Sequence, residues 1–516
     1  APDPTTLATV DQLAETHRFF HWELEFPDVF SGPQSGFDAM VGNPPWETPK
    51  PNSREFFSNH DALFRTYGKQ EAIRQQQRYF QADPSLERSW LEANAALKAL
   101  SNWVRHAAAP FGEAMERSSW ARQLAVPDGY ADPEHPFRHQ GGGDPNTYKM
   151  FLEMSHALLK QGGQMGLIVP SSLYSDKGAQ ALRELFLDRC RWDWLFGFEN
   201  RQRIFDIESR FKFCMAILSK GGRTQTLQAA FMRQDRFDWE RAEEHAFPYD
   251  ASLTSRFSPN NRAFLELEGR PDIAILKRIY ANAILLGDRE PSGWKLQSGR
   301  EFHMTDDSSL FRPRPEWEAE GFRPDELGRW VGPRGEVALP LYQGVMIHQY
   351  DYSAKGWVRG TGLNATWESL DWSEKRLAPQ FLMAHEDALR KGDRVLAPKV
   401  TYRSIARNTD ERTLIASLTP GMPCGHKLGV LRSEDPLLTC ALPALLNSFV
   451  LDWVARIRIG GTQVDAHVVA ELPLIYPQHE LLPVLAANTL RLNGPSPLFA
   501  PLWLALRPYL PEGRSL

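Results

Sequence analysis

Asn43-Pro44-Pro45-Trp46 sets one amide, two imino acids and one indole in four consecutive positions. The chemistry this set suits is transfer to an exocyclic amino group on a flat ring. An amine conjugated to a ring is a poor nucleophile, and its lone pair is freed when two acceptors take its two hydrogens. The Asn43 side-chain oxygen and the Pro44 carbonyl are two such acceptors, and Trp46 can stack on the ring face. A base extruded from a duplex fits that description. The same four residues would also serve as a turn with a capping Asn and a core Trp.

The element that must position this corner is the apolar run before it. Phe37, Ala39, Met40 and Val41 suit a buried strand, and the Pro-Pro pair ends it at Asn43 because proline donates no backbone hydrogen. The corner then lies at the carboxyl end of a strand, where open α/β sheets put their ligands. Residues 7–18 read as a short helix, followed by the aromatic run Phe19-Phe20-His21-Trp22. Residues 53–109 are rich in Gln, Arg, Glu and aromatics without strand-like alternation, so they read as a helical insertion able to form a lid, and 127–144 as a loop ending in Gly141-Gly142-Gly143.

Asp144-Pro145-Asn146 begins a helix whose apolar positions are Tyr148, Phe151, Leu152, Leu158 and Leu159, closed by Gly162-Gly163. Residues 166–172 then form a buried strand, 179–187 a helix, and 194–198 and 213–218 two more strands. This is the rhythm of an α/β fold, one sheet covered by helices. Gly162-Gly163 with Gly166 sits between a helix and a strand, whereas a phosphate-binding glycine loop must join a strand to a helix, so the pair reads as a helix stop.

The length of 516 residues implies two to four domains, and 42% hydrophobic residues can fill their cores. With 59 basic against 64 acidic side chains the net charge is −5, so any nucleic-acid contact must come from local patches. Cys190, Cys214, Cys424 and Cys440 are widely spaced without a C-x-x-C pair, which argues against a zinc site or a disulfide framework and for reduced thiols in a cytoplasmic protein. The most apolar long run, 437–455, is interrupted by Pro443, Asn447 and Asp452 and reads as a buried helix, with no membrane span. The first residues lack the basic start and apolar core of a signal peptide.

In order and content, Asn43 to Trp46, then Asp144-Pro145-Asn146-Thr147-Tyr148, then Gly166 to Ser172, then Ile204-Phe205 before residues 210–218, resemble the successive motifs of gamma-class adenine-amino DNA methyltransferases. The similarity is greatest to the large methylases of type IIG restriction-modification and of BREX and DISARM phage-defence systems. The resemblance implies a partial Rossmann-like methyltransferase domain over 1–220, with its helical insertion at about 53–126, and a mixed α/β target-recognition region over 221–516. It implies S-adenosylmethionine as cofactor, double-stranded DNA as partner, and direct in-line transfer of a methyl group to the adenine amino nitrogen. Asn43, Pro44, Pro45 and Trp46 would hold the flipped adenine, with Phe205 as the later aromatic that packs against it.

In that family the glycine loop that holds S-adenosylmethionine precedes the Asn-Pro-Pro-aromatic motif by many residues. Here 42 residues precede Asn43 and none forms a strand, glycine loop and helix. Only Asp28, read as the end of a preceding strand, matches the acidic motif nearest Asn43, and a solvated loop carboxylate is the alternative. The expectation is the carboxyl-terminal part of a longer polypeptide, or one subunit of a split enzyme, that does not hold the cofactor tightly alone.

Residues 294–304, 341–350, 403–412 and 447–462 carry the resemblance through the recognition region. Independently, Arg390, Lys391, Arg394, Lys399, Arg403 and Arg407 are opposed only by Asp393 within 388–407, a surplus that suits a phosphate-facing surface as well as an ordinary solvated face. Tyr402 among them could stack or pack, and Arg456 and Arg458 beside Gly460-Gly461 make a second candidate contact. His348, without a second ligand at regular spacing, reads as structural. Two other readings stay open: a catalytically silent DNA-recognition subunit, and a methyltransferase acting on protein glutamine, a class that shares the corner but has little use for the residues after 220.

Overall fold

The computed structural model describes residues 3–105, 137–141, 144–289 and 291–509. Strand β1 (Phe37–Gly42) ends immediately before Asn43, where the two prolines withdraw backbone donors. It pairs in parallel with β2 (Leu159–Pro170), Met40 opposite Met165 and Gly42 opposite Leu167. With β3 (Cys190–Glu199), β4 (Lys212–Lys220), β5 (Thr226–Arg233) and β6 (Phe247–Asp250) it builds a six-stranded sheet in the order β1-β2-β4-β3-β5-β6. The β1–β2 and β3–β5 pairs are parallel and the other three antiparallel, so the sheet is mixed and the fold is α/β.

The sheet does not stop near residue 220, where the α/β rhythm was expected to fade. β5 and β6 extend it by two strands, Leu227, Ala229 and Tyr249 adding to the core. The helix Gln180–Arg189 turns Leu182, Leu185 and Phe186 onto one face, with Phe186 edge-on to Trp192 at 5.8 Å. Helix Thr147–Leu158 starts where Asn146 accepts the Tyr148 N–H at 3.2 Å.

Gly162-Gly163 is not the helix stop. Leu159 already has extended backbone as the helix cap, and both glycines lie within β2. Gly162 adopts φ +78°, and a Cβ on Gly163 would stand 2.8 Å from the Phe37 carbonyl oxygen. The pair lets β2 bend against β1, where the register shifts between Phe37 and Ala39.

In the insertion, helices Ser53–Ser58, Lys69–Ala82 and Pro84–Arg105 surround a separate core of Phe57, Phe64, Ala72 and Leu86. Its expected end at about 126 and most of the loop 127–144 lie outside the described residues. The second half of the chain carries a five-stranded sheet, with Val337–Pro340 and Phe381–Ala384 at its centre, and a four-stranded one in which Lys399–Arg403 pairs with both Ala416–Thr419 and Leu428–Arg432. Its largest buried cluster is continuous with that of the first sheet.

The apolar run at 437–455 is two mostly buried helices, Pro436–Leu446 and Phe449–Arg456, bent by 67°. Among the described residues no single helix is long and apolar enough to cross a membrane. All four cysteines are buried and unpaired.

Candidate active site

The corner after β1 divides its residues between solvent and protein. Pro44 is buried and Trp46 half-buried, while Asn43 and Pro45 are exposed. A capping Asn accepts a backbone N–H two or three residues ahead, but Pro45 has none and the Trp46 N–H does not reach Asn43, so among the described residues the Asn43 amide has no hydrogen-bond partner. Trp46 is tied down at the other end of the corner: its indole N–H donates to the Ile168 carbonyl of β2 at 3.3 Å.

Three phenylalanines surround that indole. Phe205 meets it edge-on at 5.7 Å, Phe211 lies nearly parallel to it at 5.7 Å with an 11° interplanar angle, and Phe213 stacks at 6.0 Å. Phe205 is half-buried and also meets Phe213 at 4.9 Å. The segment between β3 and β4 that presents these rings is organised by Asn200, which is fully buried. Its side-chain oxygen accepts the Phe205 N–H at 3.0 Å, its amide nitrogen donates to the Phe205 carbonyl at 2.9 Å, and its own N–H donates to the Phe211 carbonyl at 2.9 Å. Asn is one of the few side chains that can donate and accept in this way. Its place directly after a buried strand was the available signal, and the sequence reading missed it along with Phe211.

The corner is held from outside by the residues that start the helix Thr147–Leu158. The Thr147 hydroxyl donates to the Pro45 carbonyl at 2.7 Å and accepts the Glu47 N–H at 3.0 Å, while the Thr147 N–H donates to the Glu47 carbonyl at 2.9 Å. Asn146 reaches Thr48 at 3.3 Å, and Asp144 pairs with Lys50. Tyr148 continues the chain of contacts to the turn after β2 by a 2.8 Å bond to Ser172, and burial pushes its phenol well above the usual range. The motif that announced a helix start therefore also fixes the path of residues 45–48.

On the far side, β1 is the last strand of its sheet, and among the described residues nothing pairs with its outer edge. Val41, within this strand, is 86% exposed. Asp28 does not end a strand. It sits exposed in the first turn of the one-turn helix Pro27–Phe30, because Pro27 preorganises a helical start there.

The basic residues are not one surface. Lys399 is fully enclosed, its ammonium 2.6 Å from Glu301, and Arg458 is buried 3.0 Å from Glu471, so neither faces a ligand at the surface. Arg403 is half-buried and donates to the Gly344 carbonyl at 2.9 Å, and to that of Ile347, with its guanidinium pKa lowered by burial. Arg456 donates to the Asn408 carbonyl at 2.7 Å and pairs with Asp452 at 3.1 Å. Tyr402 packs: it is buried, and a Cβ on Gly429 would fall 2.0 Å from its ring. Arg390, Lys391 and Arg394 keep more exposed heads, paired with Asp387, Asp307 and Glu434 respectively. The backbones of His348 and Asp351 exchange hydrogen bonds at 2.9 and 3.1 Å, and burial lowers the His348 pKa.

Arg407 is the member of the basic window that reaches the corner's neighbourhood. It lines a cleft of about 270 Å³ together with Arg201, Ser209, Arg210, Lys212 and Thr462. The second half of the chain closes on the sheet beside this cleft. A Cβ on Gly460 would stand 2.2 Å from the Ser175 hydroxyl oxygen, and Ser171 donates to the Gly460 carbonyl at 3.1 Å. Among the described residues no group of three or more His, Cys, Asp or Glu is placed to hold a metal ion.

No curated protein matches the sequence. Similar solved structures include a nuclease-deletion mutant of the Type ISP restriction-modification enzyme LlaGI in complex with a DNA substrate mimic (10% identity over 89% of this chain and 35% of that one, TM-score 0.39). They also include the DrdV–DNA complex (9% identity, 89% and 44%, TM-score 0.39) and the Type IIL restriction-modification enzyme MmeI in complex with DNA (11% identity, 71% and 47%, TM-score 0.38). The chain spans less than half the length of each. Residues 133–205, from ahead of the Asn146 cap through β2 and β3 to Phe205, match the family model of the Eco57I restriction-modification methylase.

Proposed function

We propose that this chain supplies the adenine-holding half of an S-adenosylmethionine-dependent DNA adenine methyltransferase belonging to a restriction-modification or phage-defence system. The observation that carries this reading is the Asn43 amide, exposed and without a hydrogen-bond partner among the described residues, at the end of a strand and beside an indole caged by Phe205, Phe211 and Phe213. The Asn43 side-chain oxygen and the Pro44 carbonyl accept the two amino hydrogens of an extruded adenine, which raises electron density on the nitrogen. Trp46 and Phe205 hold the ring, and the Thr147 clamp keeps the acceptors from drifting.

Bound S-adenosylmethionine supplies the methyl group. The described residues ahead of β1 do not fit that molecule: they form helices only, with no strand-to-helix glycine turn, and Asp28 is an isolated exposed carboxylate. A donor-binding half would come from outside the described residues, and the outer edge of β1, unpaired among them, offers it a place to pair. Of the basic window, Arg390, Lys391, Arg394 and Arg407 are the more exposed candidates for phosphate contacts with double-stranded DNA.

The test is Asn43→Ala in the assembly that includes the donor-binding half. Adenine methylation should fall by at least a hundredfold while DNA affinity stays within about twofold. Methylation at the normal rate would sink the reading, and its loss together with all DNA binding would point to misfolding instead.

A further inference from the structure

We infer that the cleft beside the ring cage is a clamp for the phosphodiester backbone flanking the extruded adenosine, an inference that rests on the reading above. Three separate segments bring guanidinium groups to this cleft: Arg201 from the turn after β3, Arg210 from the approach to β4, and Arg407 from the loop after the strand Lys399–Arg403. Ser209 and Thr462 add hydroxyls to the same walls. Guanidinium forks with hydroxyls beside them are the donors that recognise phosphate oxygens.

The three arginines are close to half exposed, at 48%, 48% and 43% of their side chains. Each rests on a local carboxylate: Arg201 on Glu199 at 2.8 Å, Arg210 on Glu208, and Arg407 on Asp410 at 3.8 Å. The Arg210 and Arg407 pairs are exposed on both sides and contribute little to stability, so exchanging their carboxylates for a phosphate costs little, while the bidentate phosphate contact is the stronger one. Glu199 is buried in the cleft wall, where Gln234 also donates to it at 3.2 Å, so Arg201 stays beside its carboxylate. The walls beneath them are fixed. Lys212 lines the cleft but is committed to Glu266, and the loop carrying Thr462 is seated by Gly460 on Ser175.

What selects a nucleic-acid backbone over a free anion is continuity with the ring cage. Arg210 and Lys212 line the cleft, and Phe211 between them lies against Trp46 at 5.7 Å. One run of residues therefore faces both an aromatic platform and a cationic cleft, the pairing of surfaces that binds a base together with its own phosphate.

The experiment uses a short duplex with one unpaired 2-aminopurine, a fluorescent stand-in for an extruded adenine, flanked either by ordinary phosphodiesters or by neutral methylphosphonates. For the unsubstituted chain the neutral linkages should weaken binding at least tenfold and reduce the slope of log affinity against log salt by about 0.9 per lost contact. Arg210→Ala/Arg407→Ala, which frees only the exposed Glu208 and Asp410, should show that loss on the ordinary duplex, with an unchanged melting temperature, and the neutral linkages should then add less than about twofold. Equal affinity and salt slope for the double variant and the unsubstituted chain, with 2-aminopurine emission still changing on binding, would overturn the clamp alone. Unaltered 2-aminopurine emission on binding, with the linkage effect intact, would remove the base-holding reading and leave the clamp. Failure of the ordinary duplex to bind the unsubstituted chain would remove both.

Discussion

Lys212 of β4 and Glu266 form an ion pair 2.6 Å long with both side chains almost wholly enclosed, 4% and 3% exposed. The Tyr174 hydroxyl donates to the same carboxylate at 2.8 Å, and the Lys212 ammonium also donates to the Ile459 carbonyl at 3.0 Å. These contacts join the first sheet to the segments on which the second half of the chain rests. A buried pair adds little net energy over apolar residues, but removing one partner strands the other charge. Lys212→Met should therefore cost about 3–5 kcal/mol in urea denaturation, and Lys212→Met/Glu266→Leu should recover a large part of it. A single variant within about 1 kcal/mol of the parent would show that water reaches the pair.

The second expectation concerns Thr147, whose hydroxyl holds Pro45 and Glu47 at 2.7 and 3.0 Å. Thr147→Val keeps the shape and removes both bonds. Because the freed groups are exposed to water, stability should change by only about 0.5–1.5 kcal/mol. The corner, however, loses its restraint at the acceptors, so methylation by the complete assembly should fall about tenfold or more with DNA affinity unchanged. Equal loss of affinity and rate would mean that Thr147 acts on folding and not on the corner.

The corner itself was legible because its cause is covalent: two prolines end a strand wherever they fall. The Asn146 cap, the strands from β2 to β4 and the helix Gln180–Arg189 were legible for the same local reason, apolar runs bounded by punctuating residues. What stayed hidden depends on partners distant in the chain. Lys399 counted as a surface charge until its partner Glu301, 98 positions away, enclosed it, and Arg458 is neutralised by Glu471 in the same way. Gly162-Gly163 resembles a helix stop in one dimension, and only the pairing with Phe37 reveals a strand bend. Thr147 reads as an ordinary first-turn residue, since its contact with Pro45 spans 102 positions and the whole insertion.

Gly460 tests how tightly the two halves close. A side chain there meets Ser175 at 2.2 Å from its hydroxyl oxygen and 2.7 Å from its Cβ, in the turn directly after β2. Gly460→Ala should destabilise by about 1–3 kcal/mol through overpacking, measured as a lower urea midpoint. Adding Ser175→Gly removes both contact atoms and should restore part of the loss, after allowing for the cost of glycine in that turn. Additive effects in the double variant would show that the two residues do not meet.

The pH dependence of stability follows from histidines held neutral by the fold. His156 is pushed down to about 4 from the usual 6.5, first by burial and then by the nearby Lys220. His426 is pushed down to about 4 by burial and by His303, whose ring lies 4.3 Å away at a 38° tilt. At His156 and His426 the unfolded chain takes up protons near pH 6.5, while the folded chain refuses them until about pH 4. Between those values the unfolded state binds more protons, so stability is fully present above about pH 6.5, falls as the pH drops towards 4, and loses nothing further from these two groups below that. The carboxylates whose pKa values are lowered, such as Glu153, begin to matter only in the lower part of this window. Melting temperature recorded from about pH 7.5 to pH 5 should therefore decline, and His156→Gln/His426→Gln, neutral throughout, should decline less steeply over the same range. Parallel profiles for parent and double variant would place the proton uptake on other groups.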